Sequence, residues 1–349
     1  MDCYFLDLVS WQQSQTLYHA AAHLGREALF ILRPRTPYVC LGYNQDAQQE
    51  IDLAYARQAG LPVFRREVGG GAVYLDQGQL FYQLILRSDH PAISPDKTKF
   101  YLRFLEPVIQ TFRDFGVPAE FKPVNDILAN NRKISGNGAA EINHRIILVG
   151  NFILDFNYEM MSKVLRVPDE KFRDKMYKTL TENLTTIQRV TGKTPKTADL
   201  AGTLMRHYEP LLGPFELHSE VDPDLLLKAE ELFLEMNSDE WLFANDRRRP
   251  DFTQVKIREG LTILQKVVKL PGGLIRIMAI SRDEKLHDVH LSGDFFIYPN
   301  DALLGLEQSL EGAAVDLDSL TCMILNYYRK HTIETPGISP QALAQAFIS

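Results

Sequence analysis

Cysteine is scarce and scattered. Only Cys3, Cys40 and Cys322 occur in 349 residues, an odd number with no CxxC pair among them. That pattern excludes a disulfide framework and a thiolate zinc site, and it reads as reduced thiols in a cytoplasmic protein. No apolar run approaches the roughly 18 residues of a membrane-spanning helix. The N-terminus carries Asp2 and Asp7 where a secretory leader would place basic residues before an apolar core, so no leader is expected. Basic excess is missing as well. A formal net charge of -7 argues against bulk nucleic-acid binding and against an anionic membrane surface. Two common phosphate cradles, G-x-x-x-x-G-K-[ST] and G-x-G-x-x-G, are absent, as is the G-x-S-x-G elbow of serine hydrolases. A nucleotide site in this chain has to be of another design.

What is present is an ordinary globular composition, 45% hydrophobic and 24% charged, in a chain long enough for two domains of about 100–200 residues each. Ser10 reads as the cap of a helix whose Leu17, Ala20, Ala21 and Leu24 share a face. Strands are expected at 3–8, 28–32, 38–41, 63–64, 80–86, 146–149 and 152–156. Helices are expected near 50–59, 96–115, 168–180, 196–211 and 222–236, with Pro107 starting or kinking the second of these. The segment 244–252, with Arg247-Arg248-Arg249, reads as a solvated linker or as a contact for an acidic partner. Beyond it Pro271-Gly272-Gly273 signals a hairpin, and helices follow near 301–310, 317–331 and 340–348. The expected domains are 1–245 and 252–349. The class is α/β.

Two stretches carry chemistry. In the first, Arg65-Arg66 precedes Gly69-Gly70-Gly71 and then Ala72-Val73-Tyr74-Leu75-Asp76. Three consecutive glycines let a backbone approach a ligand closely, with successive N–H groups facing an anion, and the arginines offer a charged fork for phosphate or carboxylate. Alone the run is equally consistent with a hairpin tip. The second stretch pairs Asn125-Asp126 with Arg132-Lys133-Ile134-Ser135-Gly136-Asn137-Gly138. Lysine is a compact point charge that can meet a phosphoryl and a carbonyl oxygen together, and Asp126 is the natural candidate for a Mg²⁺ ligand beside substrate phosphates. A solvated turn lysine is the competing reading of Lys133.

Taken together these residues resemble the lipoate–protein ligases of the biotin/lipoate ligase superfamily. Arg66 with the glycines through Tyr74 and Asp76, then Asn125-Asp126, then Lys133-Ile134-Ser135-Gly136 follow the family pattern in order. The strand around Gly150-Asn151 fits its next block, and Asp288 to Phe296 resembles the accessory domain. The resemblance implies a mixed, largely antiparallel sheet with flanking helices, then a small α/β domain, with ATP and Mg²⁺ as cofactors and lipoate as substrate. It implies a lipoyl-AMP intermediate, followed by transfer to a lysine of a lipoyl-accepting carrier domain. Such carriers are the 2-oxoacid dehydrogenase E2 subunits, the glycine-cleavage H protein or a relative. It assigns Lys133 the catalytic role. It assigns Arg66, Gly69, Gly70, Gly71, Ala72, Val73, Tyr74, Asp76, Asn125, Ser135, Gly136, Gly150 and Asn151 to the nucleotide and adenylate, and it implies movement of the second domain after adenylation. The chain departs from the pattern at Leu75, Gln79, Asn137-Gly138 and Val149-Gly150-Asn151, where the family usually has His, Asn, a small Ala and His-Gly-Thr.

Two other readings remain beside this one. An octanoyl or lipoyl transferase working through a cysteine thioester needs a reactive thiolate in the pocket; no cysteine lies near either stretch in sequence, and only folding would bring Cys40 to the site. A non-catalytic binder of lipoate or of its carrier would have little reason to keep Lys133. His287 and His290, with Asp288 between, form either a metal pair or a solvated strand.

Overall fold

The structure is a computed structural model describing residues 1–169, 171–250 and 261–348. Its contacts divide the chain into two compact units. One comprises Met1–Cys40, Ile51–Phe64 and Val73–Ser238; the other comprises Leu41–Glu50, Arg65–Ala72 and Asp239–Ser349. The division does not follow the expected 245/252 boundary, because two short segments from the N-terminal half are counted with the C-terminal residues. Residue 252 itself lies outside the described residues.

In the first unit the strands are β1 (Asp2–Val9), β2 (Ala28–Pro34), β3 (Tyr38–Leu41), β4 (Val63–Arg65), β5 (Val73–Leu75) and β6 (Gln79–Arg87). There follow β7 (Ala119–Lys122), β8 (Asp126–Ala129), β9 (Arg132–Ser135), β10 (Asn137–Ile142), β11 (Arg145–Ile153) and β12 (Glu216–His218). The main sheet has the order β10-β11-β6-β2-β1-β12. Its β10, β11, β6 and β2 pairings are antiparallel, and β1 pairs parallel with β2 and β12. Small sheets β4-β3-β5 and β7-β8-β9 complete the unit. The expected mixed, largely antiparallel α/β architecture is what the chain adopts.

Local chemistry explains the elements. The helix Trp11–His23 starts at a capping box, Ser10 Oγ accepting from the Gln13 amide at 3.2 Å and Gln13 Oε1 from the Ser10 amide at 3.3 Å, which satisfies two otherwise orphaned donors. In the helix Lys97–Asp114 the residues Phe100, Phe104, Leu105, Val108, Ile109 and Phe112 are buried at helical spacing. Pro107 sits inside that helix rather than at its start. The core gathers Tyr82, Phe112 and Phe152, with ring centroids 4.8 Å apart for Phe112–Phe152 and 5.5 Å for Tyr82–Phe152. Residues 145–153 are one strand, where two had been expected on either side of Gly150. The β7-β8-β9 hairpins were not foreseen.

In the second unit β13 (Leu261–Leu270), β14 (Gly273–Arg282) and β15 (Lys285–Asp294) form an antiparallel sheet, with the expected turn at Pro271-Gly272. The helices Ala302–Ser309, Leu317–His331 and Pro340–Ile348 contribute Leu303, Leu306, Ile324, Leu343 and Phe347 to one apolar core with Ile275, Ile277 and Leu291. The expected solvated linker is a folded element over its described part. Ala244–Arg248 is a short helix, Asn245 and Asp246 are buried, and Asp246 accepts from the Ala47 and Gln48 amides at 2.8 Å each. Arg248 pairs with Glu307 at 2.9 Å and Arg249 with Asp46 at 3.2 Å, so both cations are spent inside the unit; the side chain of Arg247 lies outside the described residues. His290 is buried with its Nδ1 3.5 Å from Glu307, whereas His287 lies across a register shift at positive-φ Asp288. Among the described residues these two histidines belong to no metal-type cluster.

Candidate active site

Lys133 stands on β9, opposite Leu128 of β8, on a hairpin closed by Asn130 and Asn131 at φ 52° and 60°. Asparagine tolerates this left-handed conformation better than most residues, and paired positive φ values match strand twist in a tight turn. The Lys133 backbone is fixed a second time, its carbonyl accepting from the Thr185 amide at 2.8 Å. Its side chain is 40% exposed, and Nζ lies 2.7 Å from Asp126 Oδ1. A Cβ added at Gly136 would come within 3.3 Å of Lys133 Cε and 3.5 Å of Nζ, so the glycine lets the amine end lie close over the backbone. The lysine is tethered, charged and still open to a ligand.

Behind it is a network of side-chain amides. Asn151 Oδ1 accepts from the Gly136 amide at 2.9 Å, Asn151 Nδ2 donates to Gln79 Oε1 at 2.9 Å, and Gln79 Nε2 donates to the Tyr74 carbonyl at 3.1 Å. On the other side Asn125 Nδ2 donates to the Asn137 carbonyl while Asn137 Nδ2 donates to the Asn125 carbonyl at 2.8 Å. Ser135 Oγ and the Tyr82 hydroxyl both donate to Asn137 Oδ1, the former at 3.2 Å. Asn137, Gly150 and Tyr82 stand in register across β10, β11 and β6. A Cβ at Gly150 would strike both Asn137 Oδ1 and the Tyr82 hydroxyl, which is why a glycine interrupts that strand. Ser135 is fully buried and Asn125 is bonded back to the hairpin, so both brace the lysine strand from within.

Asp76 closes the turn that leads into β6, accepting from the Gly78 amide at 2.9 Å and from the Tyr74 hydroxyl. Burial raises its carboxyl above the usual range, and burial together with Asp76 pushes the Tyr74 phenol up to about 12. Val73 pairs with Cys40 on β3.

Arg66, Gly69, Gly70, Gly71 and Ala72 belong to the other unit. The Arg66 guanidinium donates to the Gly69 carbonyl at 2.8 Å and the Gly71 carbonyl at 3.0 Å, so the loop curls around its own arginine. Gly70 is at φ 91°, a conformation reserved for glycine. The expectation of free, anion-facing N–H groups needs correction here. The Gly70 amide donates to the Phe295 carbonyl at 3.3 Å, Phe296 packs where Gly69 and Gly70 lack side chains, and the Asp294 carboxylate lies beside Gly71. Arg65 is likewise no ligand fork. It is 1% exposed and donates to the carbonyls of Gly42, Tyr43, Trp241 and Leu242, and burial lowers its pKa to about 10.

Asp126 offers one carboxylate, and the ammonium of Lys133 already occupies it at 2.7 Å. Mg²⁺ is usually held by one or two carboxylates together with substrate phosphates, so Asp126 fits it only with nucleotide bound and the Lys133 ammonium turned away. The one group of metal-type side chains among the described residues is Asp2, Glu216 and His218, away from both stretches in sequence. Cys3 and Cys40 are buried and Cys322 is exposed on the helix Leu317–His331; burial pushes the Cys3 thiol up to about 12. Gln79, Asn137 and Tyr82 were not expected as site residues. The signal available for them was a run of polar residues inside otherwise apolar strands.

The mixed sheet and its lysine hairpin define an α/β protein with a partly exposed lysine beside a glycine and a network of side-chain amides. One solved relative is the bipartite lipoate protein ligase of an archaeal lipoylation system from Thermoplasma acidophilum, studied with its E2 lipoyl domain; it shares 26% identity, with a TM-score of 0.61 over 70% of this chain and 96% of that one. Residues 8–209 match the lipoyl protein ligase A/B catalytic domain, and the chain belongs to that enzyme family. Lipoate-protein ligase LplJ of Bacillus subtilis is 28% identical over 284 residues, 80% of each chain. Octanoyltransferase LipM of Geobacillus kaustophilus is 23% identical over 236 residues, 59% of this chain and 83% of that one. No helix among the described residues is long and apolar enough to cross a membrane.

Proposed function

We propose that the protein ligates lipoate to a carrier-domain lysine at the expense of ATP. A lipoate carboxylate oxygen attacks the α-phosphorus, and pyrophosphate leaves. The ε-amine of the carrier lysine then attacks the acyl carbon, AMP departs with the bonding pair, and the amine proton passes to solvent or to the phosphate. A free carboxylate is a poor acyl donor, and adenylation gives it a leaving group. In this reading Lys133 sits against the phosphate and acyl oxygens, stabilising charge as it builds, by preorganisation and with no covalent step. Arg66 and the backbone from Gly69 through Ala72 to Tyr74 hold the nucleotide phosphates. Asp76, Asn125, Ser135, Gly136, Gly150 and Asn151 shape the walls, and Val73 and Ile147 line a slot for the aliphatic chain. Mg²⁺ arrives with the ATP phosphates, with Asp126 as its one protein carboxylate. Adenylation is followed by movement of the second domain, which exposes the acyl group to the carrier lysine. The carriers are E2 lipoyl domains, the glycine-cleavage H protein or a related lipoyl domain, met in the cytoplasm.

The observation that carries this reading is the Lys133 amine: open to solvent on one side, tethered to Asp126 on the other, and closely apposed to a glycine. The rival octanoyl transfer, the activity in the name of LipM, has its own support in that relative. It needs a reactive thiolate; burial keeps Cys3 protonated at neutral pH, which leaves Cys40, buried opposite Val73, as the thiol that transfer would require. An acylation assay with lipoate and with octanoate against several carrier domains tests the proposal. Acylation that requires ATP supports ligation; acyl transfer from carrier to carrier without ATP refutes it.

A further inference from the structure

The relay Tyr74–Gln79–Asn151–Gly136 has a fixed sense. The Gly136 amide can only donate and the Tyr74 carbonyl can only accept, so both side-chain amides between them must point one way. Turning either amide over would set donor against donor or acceptor against acceptor. Gln79 is 1% exposed, and an unsatisfied polar group there is costly. The relay is therefore a strut of defined length from the end of β5 to the backbone of Gly136. Gly136 is also the residue over which Lys133 Cε and Nζ lie. Its height sets where the amine points, while the reciprocal Asn125–Asn137 clamp holds the hairpin from the opposite flank.

We infer that Gln79, through Asn151 and the Gly136 amide, is a positioning residue for Lys133; Gln79 itself touches no substrate, whereas Asn151 also forms part of the site wall proposed above. The inference takes the step that Lys133 serves from the function proposed above, but the strut itself can be tested apart from it. A misplacement of about 1 Å near reacting groups lowers rates on the order of a hundredfold.

Two variants break the relay differently. Gln79→Met keeps volume and removes both polar ends. Asn151→Asp keeps the acceptor for Gly136 and loses the donor to Gln79. In hydrogen–deuterium exchange on the intact protein, the Gly136 amide is expected to exchange at least about tenfold faster in each, a loss of local protection, with other strands of the main sheet unchanged. Turnover in lipoate-dependent ATP–pyrophosphate exchange is expected to fall about ten- to a hundredfold with KM for ATP little changed, and combining the two changes should add nothing further. A third variant supplies a rescue. Gln79→Glu, once protonated, regains a donor for the Tyr74 carbonyl, and the buried Asp76 carboxyl that accepts from Gln79 in the wild type raises the new acid's pKa, so its activity relative to wild type should rise as pH falls.

Unchanged Gly136 protection in both variants overturns the inference, and so does full turnover after protection is lost. If the unaltered protein shows no lipoate-dependent exchange, the functional reading falls instead, and the Gly136 amide alone decides whether the strut exists.

Discussion

Lys133 is held by opposing requirements: it must be charged and solvent-reachable for a ligand, yet fixed enough to aim. Asp126 supplies the aim. Because the pair is partly exposed, with side chains 40% and 28% accessible, it contributes little to stability, about 0–1 kcal/mol. Asp126→Asn should therefore melt close to wild type while losing much of its adenylation rate; a large fall in melting temperature would give the pair a structural role instead. Gly150 is the opposite case, a residue defined by what it lacks. A Cβ there meets Asn137 and Tyr82, so Gly150→Ala should lose about 1–3 kcal/mol in denaturant unfolding, and an unchanged midpoint would show that the strands can yield. At this scale the sequence was informative about charged and glycine positions. It marked Gln79 and Asn137 only as departures from a family pattern and said nothing of Tyr82, because a polar group inside a strand declares nothing until its partner across the sheet is known.

At the scale of elements, signals that act locally were the readable ones. Ser10 with Gln13 caps a helix within four residues, and Pro271-Gly272 turns a hairpin by backbone preference alone. The hairpins at Asn130-Asn131, Asn143-His144 and Asp283-Glu284 use the same left-handed pair of φ values without glycine, so the strongest turn signal was missing and the β7-β8-β9 sheet went unseen. The Gly69–Gly71 loop is covered in this structure for a long-range reason: residues more than two hundred positions away supply Phe295 and Asp294. That placement makes a prediction. The Asp294 carboxylate beside Gly71 opposes an incoming phosphate, so Asp294→Asn should lower KM for ATP at least roughly threefold at low salt, the scale of a partly screened charge. An unchanged or higher KM would mean that Asp294 does not compete with the nucleotide.

Across the whole molecule, the mixed-sheet class came from the family resemblance joined to the strand and helix pattern, and the division into units was not legible. Residues 41–50 and 65–72 count with the C-terminal unit because their polar groups are satisfied there, by Arg65, Asn245 and Asp246. Burial and the facing Asp46 carboxylate push Asp246 up to about 6. The folded protein thus holds this proton more tightly than an unfolded chain, whose aspartates titrate near about 3.9. The resulting stabilisation is complete below about pH 4 and is lost as pH rises through about 6. Unfolding free energy should fall across that window in the wild type and fall less in Asp246→Asn; parallel curves would show that the carboxyl is not the source.

The most direct test of the account is ATP–pyrophosphate exchange with and without lipoate, on the wild type and on Lys133→Ala. The account predicts exchange that depends on lipoate and disappears with the amine. Absence of exchange in a folded wild-type protein that still moves octanoyl between carrier domains would contradict it.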